Sequence, residues 1–389
     1  MKRIVLCLDG TWNRPDLQAK ITNVVRLVRA LRPTDEEGVP QVVYYHKGVG
    51  TGGLADRVRG GAFGTGLVQN LKDAYRFLAN NYDPGGAGAP PDEIFLFVFS
   101  RGAYTARSLA GLIHWSGLLR KDALERVRQA MDAYRKKDEE QRAALLPYVH
   151  EGVRIRLVGV WDTVGALGIP LRLANAWNRR YRFHDTRLGP HIDYAFQALA
   201  IDERRGPFGP TLWQAPEGQM PPPDRVQQVW FPGVHSDVGG GYREHRLADL
   251  ALLWLAHRAA AATGLAFDGG YLAQHLRPDP LAPQHDSLSP LYAVSRVLPF
   301  ERVIGGRNGW VSRWSRLVHR VNRPEPGHAF ANEMLHRAAL DRLGQEVEVL
   351  GPGEGRRRIR YEPPNLRAAA DALPVVEHDG RISPPDGTP

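Results

Sequence analysis

The sequence predicts an α/β fold: a mostly parallel sheet with helices on both faces and cap-like helical and loop insertions. Strand-length apolar runs recur along the chain, stretches of helical spacing separate them, and one run enters a helix through a single residue. A strand buried on both faces reads as a near-continuous apolar run, and strands that alternate with helices lie parallel to one another.

Lys2 to Leu8 (KRIVLCL) is β-branched and apolar and stops at Asp9-Gly10-Thr11, a strand meeting a turn. Asn23 to Leu31 has helical spacing, with Asn23 as its cap. Gln41 to Tyr45 is a second strand, followed by the glycine-rich loop Gly48 to Gly53, and Gly66 to Asn80 reads as a helix. Asp92 to Phe99 (DEIFLFVF) is a buried strand, Ser100 a one-residue turn, and Arg101 to Ile113 the helix it opens. Arg154 to Trp161 and Arg225 to Val234 are further buried strands, and the helix Leu247 to Thr263 follows. The run that leads into Asp202 is helix-like in composition. One domain is expected over residues 1–350, with insertions near 121–150, 168–190 and 265–330. Residues 351–389, rich in Gly, Pro and Arg, read as a partly disordered extension.

At 389 residues, with 43% hydrophobic and 24% charged side chains, the chain can bury a core, and neither a fibrous repeat nor wholesale disorder fits. Met1 to Leu8 lacks the apolar run of a signal peptide, and no stretch reaches the roughly 18 to 20 apolar residues of a membrane span, so a soluble product made in the cytoplasm is expected. The lone cysteine, Cys7, sits in an apolar run and reads as core. A net charge of +9 favours anionic partners. Zinc-finger spacing, an RNA-binding aromatic signature and a Walker lysine are all missing, so nucleic acid is not expected as a partner; an anionic membrane surface and acidic proteins remain.

A serine hydroxyl is too weakly acidic to attack an ester unaided and needs a base in hydrogen-bond reach, with a third group to hold that base. Ser100 ends an apolar strand and opens a helix, which projects its side chain from the carboxyl edge of the sheet and sets the Arg101 amide at the helix start to receive an oxyanion. It also reads as an ordinary helix N-cap. Asp162 follows the strand ending at Trp161, and His235 follows the one ending at Val234. Serine, acid, histidine is the chain order in which α/β-hydrolases carry their triad. Alone, Asp162 also fits a turn cap, and His235 a structural histidine or a metal ligand; with no second His or Cys at ligand spacing, neither a metal nor a cofactor is expected. Asp202 and Asp237 are the competing acids. Gly10 or Thr11 is placed to offer a second oxyanion amide, or else makes a simple Asp-Gly turn.

Six motifs occur in order: Leu8-Asp9-Gly10-Thr11-Trp12-Asn13, Lys47 to Thr51 (KGVGT), Phe99 to Arg107 (FSRGAYTAR), Trp161 to Ala166 (WDTVGA), Ala198 to Glu203 (ALAIDE) and Gly233 to Tyr242 (GVHSDVGGGY). Together they resemble a bacterial α/β-hydrolase family described as a domain of unknown function, which includes the catalytic domain of phospholipase effectors delivered by type VI secretion. The resemblance implies Ser100 as nucleophile, Asp162 as triad acid, His235 as base, and phospholipid acyl esters as substrate. An immunity or delivery partner and export by type VI secretion stay open, because the sequence lacks the long extra domain by which some effectors dock on the secretion spike and delivery is not carried over with the resemblance. A soluble ester or thioester is the alternative substrate.

The family carries glycine two residues before the serine, where this chain has Val98. A valine there is expected to push the following helix outward and slow the enzyme, and it motivates the alternative of a binding protein on the same fold. Trp310, Trp314, Leu317 and Val321 share one helical face flanked by arginines, the layout of an interfacial helix or of a core-facing one.

Overall fold

The computed structural model describes residues 1–10, 21–48, 60–86, 88–164, 188–288, 300–306, 324, 327–351 and 355–385. Among these residues nine strands form the central sheet: β1 (Arg3–Leu8), β2 (Gln41–His46), β3 (Glu93–Phe99), β4 (Ile155–Trp161), β5 (Ile192–Ala200), β6 (Val226–Phe231), β7 (Glu333–His336), β8 (Val375–Val376) and β9 (Ile382–Ser383). Their order is β2-β1-β3-β4-β5-β6-β7-β8-β9, parallel throughout except for the antiparallel pair β8 and β9. The chain reverses its direction of travel across the sheet at β1, so the carboxyl ends of β1 and β3 flank a topological switch point, where open α/β sheets place their ligands.

Period-two geometry explains the continuous apolar runs. Ile4, Leu6 and Leu8 of β1, Ile94, Leu96 and Val98 of β3, and Val158 and Val160 of β4 join one buried cluster. There they meet Leu71, Tyr75 and Leu78 of α2 (Gly60–Asn81) and Ala103, Ala106, Leu109 and Leu112 of α3 (Gly102–Ser116). The intervening Val5, Cys7, Phe95, Phe97, Phe99, Leu157 and Trp161 face the opposite side. That side is covered by Val24 and Leu27 of α1 (Asn23–Ala30) and by the 246–263 helix. The expected two-faced α/β architecture is what the chain forms. The 121–150 insertion holds α4 (Val127–Lys136) and α5 (Glu139–Leu145), packed beyond α2 and α3.

Three local readings change. Thr22, not Asn23, caps α1: its hydroxyl accepts from the Val25 amide at 3.4 Å, while the Asn23 amide group donates to the carbonyls of Val238 and Ala248 and ties α1 to the chain after β6. The helix-like run before Asp202 is strand β5, because burial on both faces overrides the helical preference of its alanines and leucine. Residues 355–385, read from the sequence as part of a partly disordered extension, form packed elements. The antiparallel hairpin Glu346–Leu350 with Arg356–Arg360 leads to Pro364–Ala369 and then to β8 and β9. Tyr361, Leu366 and Ala369 share a third cluster with Leu199 of β5, Trp230 of β6 and Leu335 of β7, so this part of the chain covers the far half of the sheet. The 168–190 insertion lies almost wholly outside the described residues. The Trp310-to-Val321 face and the terminal 386–389 stretch lie entirely outside them.

Candidate active site

Ser100 is one residue past β3 and Asp162 one residue past β4, both at left-handed backbone angles (φ 57° and 39°) that non-glycine residues adopt at a cost of about 1–2 kcal/mol. The ladder holds them there: the Ser100 amide donates to Trp161 O at 3.0 Å and the Asp162 amide to Ala198 O at 2.7 Å. The turn after the serine needs Gly102, since a Cβ at that position would lie 2.4 Å from the Leu8 carbonyl oxygen at the end of β1. His235 is the first residue of the short helix α6 (His235–Gly239), which starts just beyond β6 and precedes α7 (Arg246–Thr263). Its amide donates to Glu203 Oε2 at 3.3 Å.

The three side chains form one hydrogen-bonded line. Ser100 Oγ lies 2.9 Å from His235 Nε2, and His235 Nδ1 lies 2.5 Å from Asp162 Oδ2. Burial works against ionising Asp162, but the neighbouring Arg302 charge and the His235 hydrogen bond more than offset it and hold the carboxyl well below the usual carboxylate range. Burial lowers the His235 pKa, with Asp162 opposing. The neutral tautomer consistent with these partners carries its proton on Nδ1, facing Asp162, and accepts the serine hydroxyl on Nε2. The ring is stacked on Phe99, with centroids 4.7 Å apart, and meets Phe208 edge-on at 5.1 Å. Among the described residues no group of three or more His, Cys, Asp or Glu could hold a metal ion.

Of the competing acids, Asp202 accepts from the Gly233 amide and the Tyr361 hydroxyl, and Asp237 binds the His285 ring and amide. Neither carboxylate faces His235; Asp162 does. Arg101 is the cap residue before α3, which begins at Gly102 rather than at Arg101. The Gly10 amide donates to the Asp9 carboxylate at 2.7 Å, a side chain that also receives the Thr22 and Tyr45 hydroxyls, so Gly10 is turned toward its own neighbour rather than toward Ser100. Thr11 lies outside the described residues. Val98 is fully buried in the cluster that contains Ala103, Ala106 and Ala110. These small residues of α3 leave room for it, and the serine–histidine contact is intact.

Two partners escaped sequence reasoning. Arg302, 0% exposed, grips Asp162 with both terminal nitrogens, Nη1 to Oδ1 at 2.5 Å and Nη2 to Oδ2 at 2.9 Å. Glu203 is buried beside His235 and accepts from Arg205 and from the Ser287 hydroxyl. Glu203 was visible only as part of a motif, and Arg302 had no local signal at all.

A parallel sheet with a serine at a strand-to-helix turn, hydrogen-bonded through a histidine to a carboxylate on a neighbouring strand end, is the architecture of the α/β-hydrolase class. The chain belongs to the family described as the catalytic domain of Tle1-like phospholipase effectors of type VI secretion, whose model matches residues 2–258. An uncharacterised protein of Saccharomyces cerevisiae is 29% identical across a 234-residue alignment that covers 53% of this chain and 32% of the yeast protein. Among solved structures, the Tle1 effector bound to the VgrG spike of the type 6 secretion system is similar at 20% identity and a TM-score of 0.37, covering 62% of this chain and 51% of that one. An uncharacterised protein from Pseudomonas aeruginosa is similar at 17% identity and 0.44, covering 81% and 52%. The chain thus spans about half the length of these two structures and about a third of the yeast protein.

Proposed function

We propose that the protein is a serine hydrolase that cleaves carboxylic esters, with phospholipid acyl esters as its substrate. The observation that carries this reading is the line from Ser100 Oγ through the His235 ring to Asp162, with contacts of 2.9 and 2.5 Å. Family membership supports the lipid half of the reading and, with it, delivery as a type VI effector.

In this mechanism His235 Nε2 takes the Ser100 proton as Oγ bonds to the acyl carbon, and the carbonyl electron pair moves onto oxygen. The Arg101 amide receives that oxyanion. The Gly10 amide is turned onto Asp9 and is not the second donor in this arrangement. Collapse breaks the ester C–O bond, and the imidazolium returns its proton to the leaving alcohol. Water then attacks the acyl-serine, His235 takes the water's proton, and Ser100 leaves reprotonated with the free acid as product. Asp162 stays ionised throughout and stabilises the imidazolium without becoming protonated.

The test is hydrolysis of p-nitrophenyl esters of increasing chain length beside phospholipid vesicles, with wild type and Ser100→Ala compared. Release of fatty acid from vesicles by the wild type only is expected. Cleavage confined to short soluble esters would move the substrate to that class. A folded Ser100→Ala that keeps more than about a tenth of the rate removes the nucleophile.

A further inference from the structure

Asp162 is saturated. Oδ1 accepts from the Ala200 amide at 2.9 Å and from Arg302 Nη1; Oδ2 accepts from His235 Nδ1 and from Arg302 Nη2. The guanidinium is itself held, Nη1 by Ala200 O at 2.8 Å and Nη2 by Phe208 O at 2.7 Å. Its backbone is anchored in turn, since the Asn365 side chain donates to Arg302 O at 3.0 Å and to Ile201 O at 3.3 Å, and Leu366 beside it lies in the core. A planar fork on both carboxylate oxygens removes the two motions a carboxylate has left, rotation about its Cβ–Cγ bond and tilting away from the ring.

We infer that Arg302 is the positioning residue of the site, fixing the Asp162 carboxylate and through it the His235 ring, and that it does so from outside the 2–258 span of the family match. The inference rests on the hydrolase reading above for its catalytic consequence, but not for its geometry. Arg302 shares Oδ2 with the histidine, so its charge competes there with a proton on the ring. Removing that charge makes the imidazolium easier to form and shifts the His235 titration to higher pH. A guanidinium that merely neutralised a buried carboxylate away from the histidine would leave that titration unmoved.

The experiment uses the full chain as wild type, Arg302→Met, Arg302→Lys and Ser100→Ala. His235 is titrated by NMR with labelled histidine, kcat and KM are measured on p-nitrophenyl butyrate, and thermal unfolding establishes the folded fraction. Expected for Arg302→Met are a His235 titration at higher pH than wild type and a kcat lower by on the order of 10²-fold with KM unchanged, the size of loss that misplacement of a catalytic group produces. Arg302→Lys restores the charge without the fork, so its titration lies near wild type while kcat stays reduced. A folded Arg302→Met with the wild-type titration overturns the inference. If that variant does not fold, Arg302→Lys decides, and wild-type kcat or, without turnover, wild-type ring geometry by NMR overturns it. The titration needs no turnover, so a wild type that cleaves no ester would reject the proposed function while the positioning role of Arg302 is still decided by the His235 titration.

Discussion

The His235 imidazole lies flat against the Phe99 ring, with 4.7 Å between centroids and 27° between planes. Phe99 is the last residue of β3 and the neighbour of Ser100, so the strand that carries the serine also supplies a wall for the histidine hydrogen-bonded to it. The same ring blocks the space over α6. A Cβ at Gly239 would fall 1.9 Å from Phe99 Cε2.

Gly239→Ala is therefore expected to drive the Phe99 ring into His235 and lower kcat by roughly 10- to 100-fold, while Phe99→Leu alone costs less. Combining the two should recover part of the loss, because leucine frees the space the new methyl needs. Ester hydrolysis by the two single variants and the double variant gives the coupling. Simple addition of the two losses would show that Gly239 acts through something other than Phe99.

Asp162→Asn and Ser100→Ala should part company in stability. Both remove activity, the asparagine by about 10⁴-fold because it favours the wrong histidine tautomer and the alanine by about 10³-fold or more. Only the asparagine leaves the buried Arg302 cation without its ion-pair partner, a loss of about 3–5 kcal/mol. Urea unfolding of the two variants checks this. Equal midpoints would mean that the Asp162–Arg302 pair contributes no net stability.

The pH profile follows from the sign of the His235 shift. In the proposed mechanism the base is the neutral ring, and burial disfavours the charged one, so activity is expected to persist below pH 6.5, the ordinary histidine value, and to fall only as the pH drops through the lowered pKa. Asp162 remains ionised across this range. The acid limb of kcat/KM should thus lie below 6.5, and the Ser100→Ala protein, which keeps the buried ring, should lose stability as the pH falls from 6.5 toward the same lowered value, because the unfolded chain takes up the proton first. A limb above 6.5 would show that the Asp162 charge outweighs burial.

The close approach that the family pattern places at position 98 is made in this chain at Gly102. The close approach at the serine turn falls on Gly102 against Leu8 O, and Val98 is seated among alanines of α3. Val98→Gly is expected to lose about 2–4 kcal/mol of stability through the emptied volume and added chain entropy, with no rise in kcat. Gly102→Ala should lower kcat by at least 10-fold, the order of effect of a displaced oxyanion donor. Steady-state kinetics on folded protein distinguishes these outcomes from the acceleration expected of a strained valine.

What could be read from the amino-acid order alone was whatever one stretch of chain determines by itself. Strands β1, β3 and β4 are largely apolar on both faces, so their burial is written along them, and Ser100 and Asp162 follow such runs directly, whereas three residues separate His235 from β6, a strand that carries Gln227 and Gln228. β5 was hidden because alanine and leucine suit helices equally well, and β8 and β9 because two residues carry no periodicity. Arg302 is one of 51 lysines and arginines, and although Phe300, Val303 and Ile304 mark its stretch as apolar, nothing beside it in the chain names Asp162 as its partner. Its meaning comes from the 140 positions that separate it from Asp162.

That pairing also constrains how the chain can change over generations. Losing Arg302 first leaves an aspartate that still has the Ala200 amide and a histidine, a tolerable intermediate; losing Asp162 first strands a cation beside two carbonyl oxygens in a dry interior. Decay of the site is thus directional. Relatives carrying a neutral residue at the position of Asp162 should already be neutral at the position of Arg302, and the reverse combination, a neutral 302 with the aspartate kept, marks lineages partway along that path.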